Sequence, residues 1–173
     1  MKKILFLALI LMGCENFPTL SFDLDNEFTF NIDKTGLQYE GSRVVDPTTN
    51  AQFEKYKKKL NSIVITRVTY TVTNFKGTPT QTASMSFDVS DSNGGGKATI
   101  GSYSNVNLSS LVDKETDMVL NQAGAATLAG YMLTSPNKFN VSYVGSVNQS
   151  PVKFDVKIKF YYTAKTRLIG SNS

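Results

Sequence analysis

The run VKFDVKIKFYYTAKTRL, residues 152–168, decides the fold. Phe154, Val156, Ile158, Phe160 and Tyr162 share one parity, and Lys153, Asp155, Lys157, Lys159 and Tyr161 share the other. Successive side chains of a strand point to opposite faces, so this alternation predicts a strand with one dry and one wet side. The run is long for a strand, which predicts a bend or bulge along it.

The same period extends outward. Phe139, Val141, Tyr143, Gly145 and Val147 alternate with Asn140, Ser142 and Ser146, and Asn148 to Pro151 turns that strand into the last one. Near the other end, Phe28, Phe30 and Ile32 alternate with Thr29, Asn31 and Asp33, and Leu20, Phe22 and Leu24 predict a strand before them. Residues 62–75 are dense in β-branched side chains, with Val64, Val68, Tyr70 and Val72 on one face and Thr69, Thr71 and Thr73 on the other. Lys76 to Pro79 reads as a turn into a hairpin partner carrying Ala83, Met85, Phe87 and Val89. The stretch DSNGGG, residues 91–96, turns again toward Ala98 and Ile100. Leu37 to Val45 reads as a loop with a short strand.

Two segments follow the helical period. Thr49 or Asn50 caps a helix to about Asn61 that aligns Phe53, Tyr56 and Leu60. Leu111, Glu115, Val119, Leu120, Ala123, Leu128 and Tyr131 predict a second helix over 113–131, capped by Asp113. Half-dry strands make sheets that each pack on one side, so the expected fold is mainly β: an antiparallel β-sandwich, immunoglobulin-like, with two short helical insertions. The alternative is an α+β fold with the second helix on one curved sheet.

The N-terminus reads MKKILFLALILMGC. Lys2 and Lys3 form a positive n-region, and Ile4 to Met12 is an uncharged apolar run, the pattern of a secretory signal. A helix of that length rises only about 14 Å, roughly half the hydrocarbon core of a bilayer, too short to span it. Leu11, Met12, Gly13 and Cys14 resemble the lipobox of bacterial lipoproteins. Leu11 and Gly13 match that pattern, while Met12 departs from its usual small or β-branched residue. The resemblance implies cleavage before Cys14, a diacylglycerol thioether on its sulfur with further acylation such as palmitate, and a place in the bacterial cell envelope, at the outer membrane or cell surface. A thiolate suits that chemistry, and two acyl chains give the stable hold that one does not. The expected organisation is a signal peptide over 1–13, a lipidated tether over 14–19 and one β-sandwich domain over 20–173.

Composition narrows the function. The chain has 18 basic and 14 acidic side chains, and loss of Lys2 and Lys3 with the signal brings it close to neutrality, which argues against nucleic acid as a partner. It has no histidine, the commonest general base and metal ligand, and a single cysteine. Gly94-Gly95-Gly96-Lys97 is not a phosphate loop: Asp91 stands where an earlier glycine is needed, Ala98 where a Ser or Thr is needed, and a strand follows.

Asp23, Asp25 and Glu27 alternate near a strand end, but the glycine and spacing of a calcium loop are absent. Asp113, Glu115 and Asp117 offer the carboxylates of a hydrolase, although the start of a helix explains acids equally well. Lys153, Lys157, Lys159, Lys165 and Arg167 share the wet face of the last strand and form a candidate polyanion-binding stripe; the same cations suit an edge strand kept soluble. The sequence therefore predicts a lipid-anchored binding or structural module without catalytic residues, cofactor or metal. It is held to the membrane through Cys14, with an envelope protein or an anionic glycan as candidate partner.

Overall fold

The computed structural model describes residues 19–167. In chain order these form β1 (Thr19–Lys34), β2 (Gln38–Val45), α1 (Ala51–Tyr56), β3 (Leu60–Lys76), β4 (Thr82–Asp91), β5 (Ala98–Asn107), β6 (Thr116–Asp117), β7 (Val119–Leu120), α2 (Gln122–Leu133), β8 (Phe139–Val147) and β9 (Val152–Arg167). One sheet has the order β1-β9-β3-β6, the other β2-β8-β4-β5-β7. Neighbouring strands are antiparallel throughout.

The pairing is nested. β1 pairs β9, β2 pairs β8, β3 pairs β6 and β4 pairs β5. A long hairpin rolled in this way into two facing sheets is a jelly roll. The protein is thus a mainly β, two-sheet sandwich with two short helices, as the alternation predicts. The sandwich is as expected, but its strand order is that of a jelly roll and not of an immunoglobulin domain, and the presence of two sheets replaces the single-sheet alternative.

The alternating side chains meet between the sheets. Phe28, Phe30 and Ile32 of β1 and Phe154, Val156, Ile158 and Phe160 of β9 face Met85, Phe87 and Val89 of β4 and Phe139 and Val141 of β8, all buried. α2 packs on β3, β5 and β4, burying Ala125, Leu128, Ala129 and Met132. Asn121 caps it, its side chain accepting from the Gly124 amide at 3.1 Å. Burying apolar side chains on this scale is the main stabilising term, about 1.5–3 kcal/mol for each large one.

Several local expectations change. Leu20–Leu24 and Phe28–Ile32 belong to one uninterrupted strand, β1, which begins at Thr19, the last residue expected in the tether. Residues 38–45 form a full strand. β3 and β4 are not a hairpin: they lie in different sheets, and residues 77–81 carry the chain between them. The irregularities expected in the last strand fall on its partner. β3 has register shifts between Leu60 and Ser62, Ile65 and Arg67, and Thr73 and Lys76. The shift around Thr66 reverses parity, so Ile63 and Ile65 point inward and Val64 stands 54% exposed, away from Val68, Tyr70 and Val72.

The first helix is shorter than expected. Asn50 caps it, its side chain accepting from the Gln52 and Phe53 amides at 3.0 and 3.2 Å, and a 3₁₀ turn over Lys57–Lys59 follows. The second begins at Gln122, not Asp113. Asp113 has φ of 58°, which no helix accommodates, and 116–120 holds two short strands.

Candidate functional site

The register of the first sheet places β9 in its centre, not at an edge. Its outward side chains lie between those of β1 and β3. Asp33 stands beside Lys153, Asn31 beside Asp155, Thr29 beside Lys157, Glu27 beside Lys159 and Asp25 beside Tyr161. On the other flank stand Lys76, Thr73, Thr71, Thr69 and Arg67 in the same order.

This arrangement neutralises most of the expected basic stripe. Lys153 pairs with Asp33, Lys157 with Glu27 at 3.5 Å and Lys159 with Asp25 at 3.4 Å. Asp155 interrupts the row and is held from both sides: Asn31 donates to one carboxylate oxygen at 2.7 Å and Asn74 to the other at 2.6 Å. These bonds, led by that from Asn74, pull the Asp155 pKa below its ordinary value. Asn74 has φ of 52°, a left-handed conformation that Asn tolerates better than most residues. Lys165 sits at the end of the row opposite Ser21 and Ser62. Arg167 closes the strand opposite Thr19. A shallow recess of about 350 Å³ lies over Asn31, Asp33, Asn74, Lys76, Lys153 and Asp155.

Two of the three carboxylates considered for hydrolysis, Glu115 and Asp117, gather around Arg67. Its Nε donates to Asp117 at 2.5 Å, and its guanidinium lies 3.2 Å from Glu115 and 5.2 Å over the Tyr161 ring. The Tyr161 hydroxyl donates to Glu115 at 2.8 Å. That hydrogen bond, with help from Thr69, Arg67 and Lys159, lowers the Glu115 pKa. A general acid needs the opposite shift, so this cluster holds Glu115 in the wrong state for one. Asp113 stands apart in its turn, its backbone N–H donating to the Val72 carbonyl at 2.9 Å. Among the described residues no group of His, Cys, Asp or Glu is arranged to hold a metal ion, and Asp23 accepts instead from Thr163 at 2.6 Å.

The glycines of the hairpin tip serve the turn. Asp91 accepts from the Asn93 and Gly95 amides at 2.8 and 2.9 Å, and Gly94 and Gly96 have φ of 89° and 63°. The Tyr131 hydroxyl of α2 donates to the Gly96 carbonyl at 2.5 Å, and Lys97 reaches Asp88 at 2.8 Å. A recess of about 490 Å³ opens between this tip and the C-terminal end of α2, lined by Asn93, Thr127, Tyr131, Thr134 and Lys138.

The outer face of the second sheet differs from that of the first. Its rows place Gln38, Ser146 and Ser84 together, then Glu40, Val144, Ser86, Ser102 and Val119, then Ser42, Ser142, Asp88 and Thr99. One face of the sandwich is therefore a ladder of alternating charge, and the other is built mostly of small uncharged side chains.

No family model matches the chain, and no curated protein matches it. Among solved structures it is similar to Desmodium yellow mottle tymovirus, at 14% identity and a TM-score of 0.43 over 91% of this chain and 94% of that one. It is also similar to the decameric BFDV capsid protein, at 9% identity and 0.37 over 85% and 99%. The VP2 subviral particle of infectious bursal disease virus gives 9% and 0.33 over 99% of this chain and 43% of that one. These likenesses are too low to carry a functional argument.

Proposed function

We propose that the chain is a lipid-anchored protein of the bacterial cell envelope, held through a diacylglycerol thioether on Cys14, and that its sandwich acts as a binding or structural module. The observation that carries this reading is the N-terminal sequence MKKILFLALILMGC, which combines a positive start, an apolar run too short to span a bilayer, and a lipobox-like end. Residues 1–13, Cys14 and the tether as far as Pro18 lie outside the described residues. The first strand of the sandwich begins at Thr19, five positions after Cys14, so the domain would stand directly on the surface that holds the lipid.

The chemistry of the domain fits binding better than catalysis. Glu115 and Asp117 are tied to Arg67, and Lys153, Lys157 and Lys159 of β9 are matched by acids of β1, which leaves that face little free charge for a polyanion. Fractionation of cells expressing wild type and Cys14→Ala tests the anchor. Wild type is expected in the membrane fraction, released by detergent but not by salt, and Cys14→Ala in the soluble fraction. Equal partitioning of the two would refute it.

A further inference from the structure

Four lysines that make no ion pair among the described residues lie at one end of the sandwich, the end at which β1 begins. Leu20 pairs with Thr166, and the Thr166 hydroxyl donates to the Lys59 carbonyl at 2.6 Å. The Phe22 ring lies 5.3 Å from that of Tyr56. These contacts bring the Lys55–Lys59 segment and Lys165 around the first turns of chain after the tether.

Lys57 pairs with Glu54 at 2.8 Å. Lys55, Lys58, Lys59 and Lys165 are exposed and make no ion pair among the described residues. Asp23, in the outer row beside Ser21, accepts from Thr163 and keeps its charge. Leu20, Phe22 and Tyr56 are only partly buried, and Lys55 Nζ sits 5.1 Å over the Tyr56 ring. Amphipathic aromatic rings beside lysines are suited to a bilayer interface. The opposite end of the first sheet differs: there Lys34, Lys76 and Lys153 share their surface with Asp33 and Asp155.

We infer that this basic end is a second membrane contact, seated on anionic phospholipid headgroups of the bilayer that holds the Cys14 lipid. The inference rests on the anchored reading above. From Cys14 to Thr19 is five residues, which reach at most about 18 Å when fully extended. Attraction to an anionic surface decays within a Debye length, about 8 Å at physiological ionic strength. A tether this short keeps the lysines within or near that range, whereas the Lys34 end lies a strand's length away. The lipid supplies the hold, and the lysines fix which end of the sandwich faces the membrane.

The test is lysine acetylation of the lipidated protein, its lipid verified by intact mass, reconstituted in vesicles of phosphatidylcholine alone or mixed with phosphatidylglycerol. Acetylation of Lys55, Lys58, Lys59 and Lys165 is expected to fall several-fold on the mixed vesicles and to recover in high salt. Lys34 and Lys76 are expected to react equally on both. The exposed triple variant Lys55→Gln, Lys58→Gln, Lys59→Gln is expected to lose the protection of Lys165. Equal acetylation of the end lysines on both vesicles, with the lipid present, overturns the contact and leaves the anchor standing. A mass without lipid overturns the anchor instead, and this contact with it.

Discussion

The ring of Tyr39 lies against the α-carbon of Gly145, its partner across the β2–β8 pair. The relation is reciprocal, since Gly41 stands opposite Tyr143 and lies beneath its ring. Both tyrosines are buried, and burial raises both phenol pKa values. Each aromatic ring fills the space that its glycine partner leaves, which pins the register of an edge pair.

A methyl group on Gly145 would therefore collide with Tyr39, landing 2.3 Å from a ring carbon. Gly145→Ala is expected to cost about 1–3 kcal/mol, the range for overfilling a packed core. Adding Tyr39→Leu, which vacates the ring's space, should cost less than the sum of the two single changes. Urea unfolding of the four proteins measures this; strict additivity would contradict the contact.

The two glycines of α2 should respond in opposite directions. A Cβ on Gly124 would sit 2.0 Å from the Thr99 carbonyl oxygen, while one on Gly130 meets nothing within 4 Å. Alanine is favoured over glycine in a helix by about 1 kcal/mol. Gly130→Ala should gain up to about that amount. Gly124→Ala should lose about 1–3 kcal/mol despite the same propensity gain, because a backbone atom cannot swing aside. Thermal midpoints moving in the same direction would refute the placement of α2 on β5.

Much of this architecture is legible in the sequence because β1, β4, β8 and β9 keep period two, and their burial follows it except at strand ends such as Ser90 and Lys34. What is illegible is what period cannot carry. The extra residue at Thr66 inverts the faces of β3 on either side of it, so Val64 and Val68 read as neighbours when they point apart. A turn such as Lys76–Pro79 looks the same whether it closes a hairpin or carries the chain to the other sheet.

Leu111 to Leu120 combines apolar spacing with acids in a way that suits a helix, yet Thr116–Asp117 and Val119–Leu120 form two short edge strands. For the candidate site, the parity of Lys153, Lys157 and Lys159 is evident. Their neutralisation is not, because Asp33, Glu27 and Asp25 are more than a hundred residues away in sequence. The basic end is missed for the same reason: only the fold brings Lys55–Lys59 to the start of β1.

Both places where the chain changes sheets near Gln81 depend on its side chain. It is 1% exposed, and its amide nitrogen donates to the carbonyls of Gln149 and Pro151 at 2.6 and 3.2 Å. The 77–81 crossing is thereby tied to the 148–151 crossing. Gln81→Leu is expected to destabilise by about 1–3 kcal/mol by removing both hydrogen bonds that tie the two crossings. Chemical denaturation should show a lower midpoint with unchanged slope; an unchanged midpoint would count against the tie.

Acid should loosen the fold through four carboxylates with depressed pKa values: Asp46, Asp88, Asp155 and Glu115. Partial burial opposes ionisation of Asp46 and Asp88, but hydrogen bonds from Thr48 and Lys138, and from Lys97 and Thr99, outweigh it. A group held below its unfolded pKa contributes stability above that unfolded value, near 4, and loses it as pH falls through the folded one. Stability should therefore be flat from neutrality to about pH 5 and fall below about pH 4. Asp155→Asn should lower stability by about 0.5–1 kcal/mol at neutral pH and shrink the acid loss, read from unfolding midpoints across pH. An equal acid loss in the variant would exclude Asp155 from that dependence.

Intact mass spectrometry of the native protein, extracted from membranes with detergent, tests the anchored reading most directly. The account predicts a chain that begins at Cys14 and is heavier than its polypeptide by a diacylglycerol group, with or without a further acyl chain. A chain that begins elsewhere, or that weighs no more than its bare polypeptide, would contradict it.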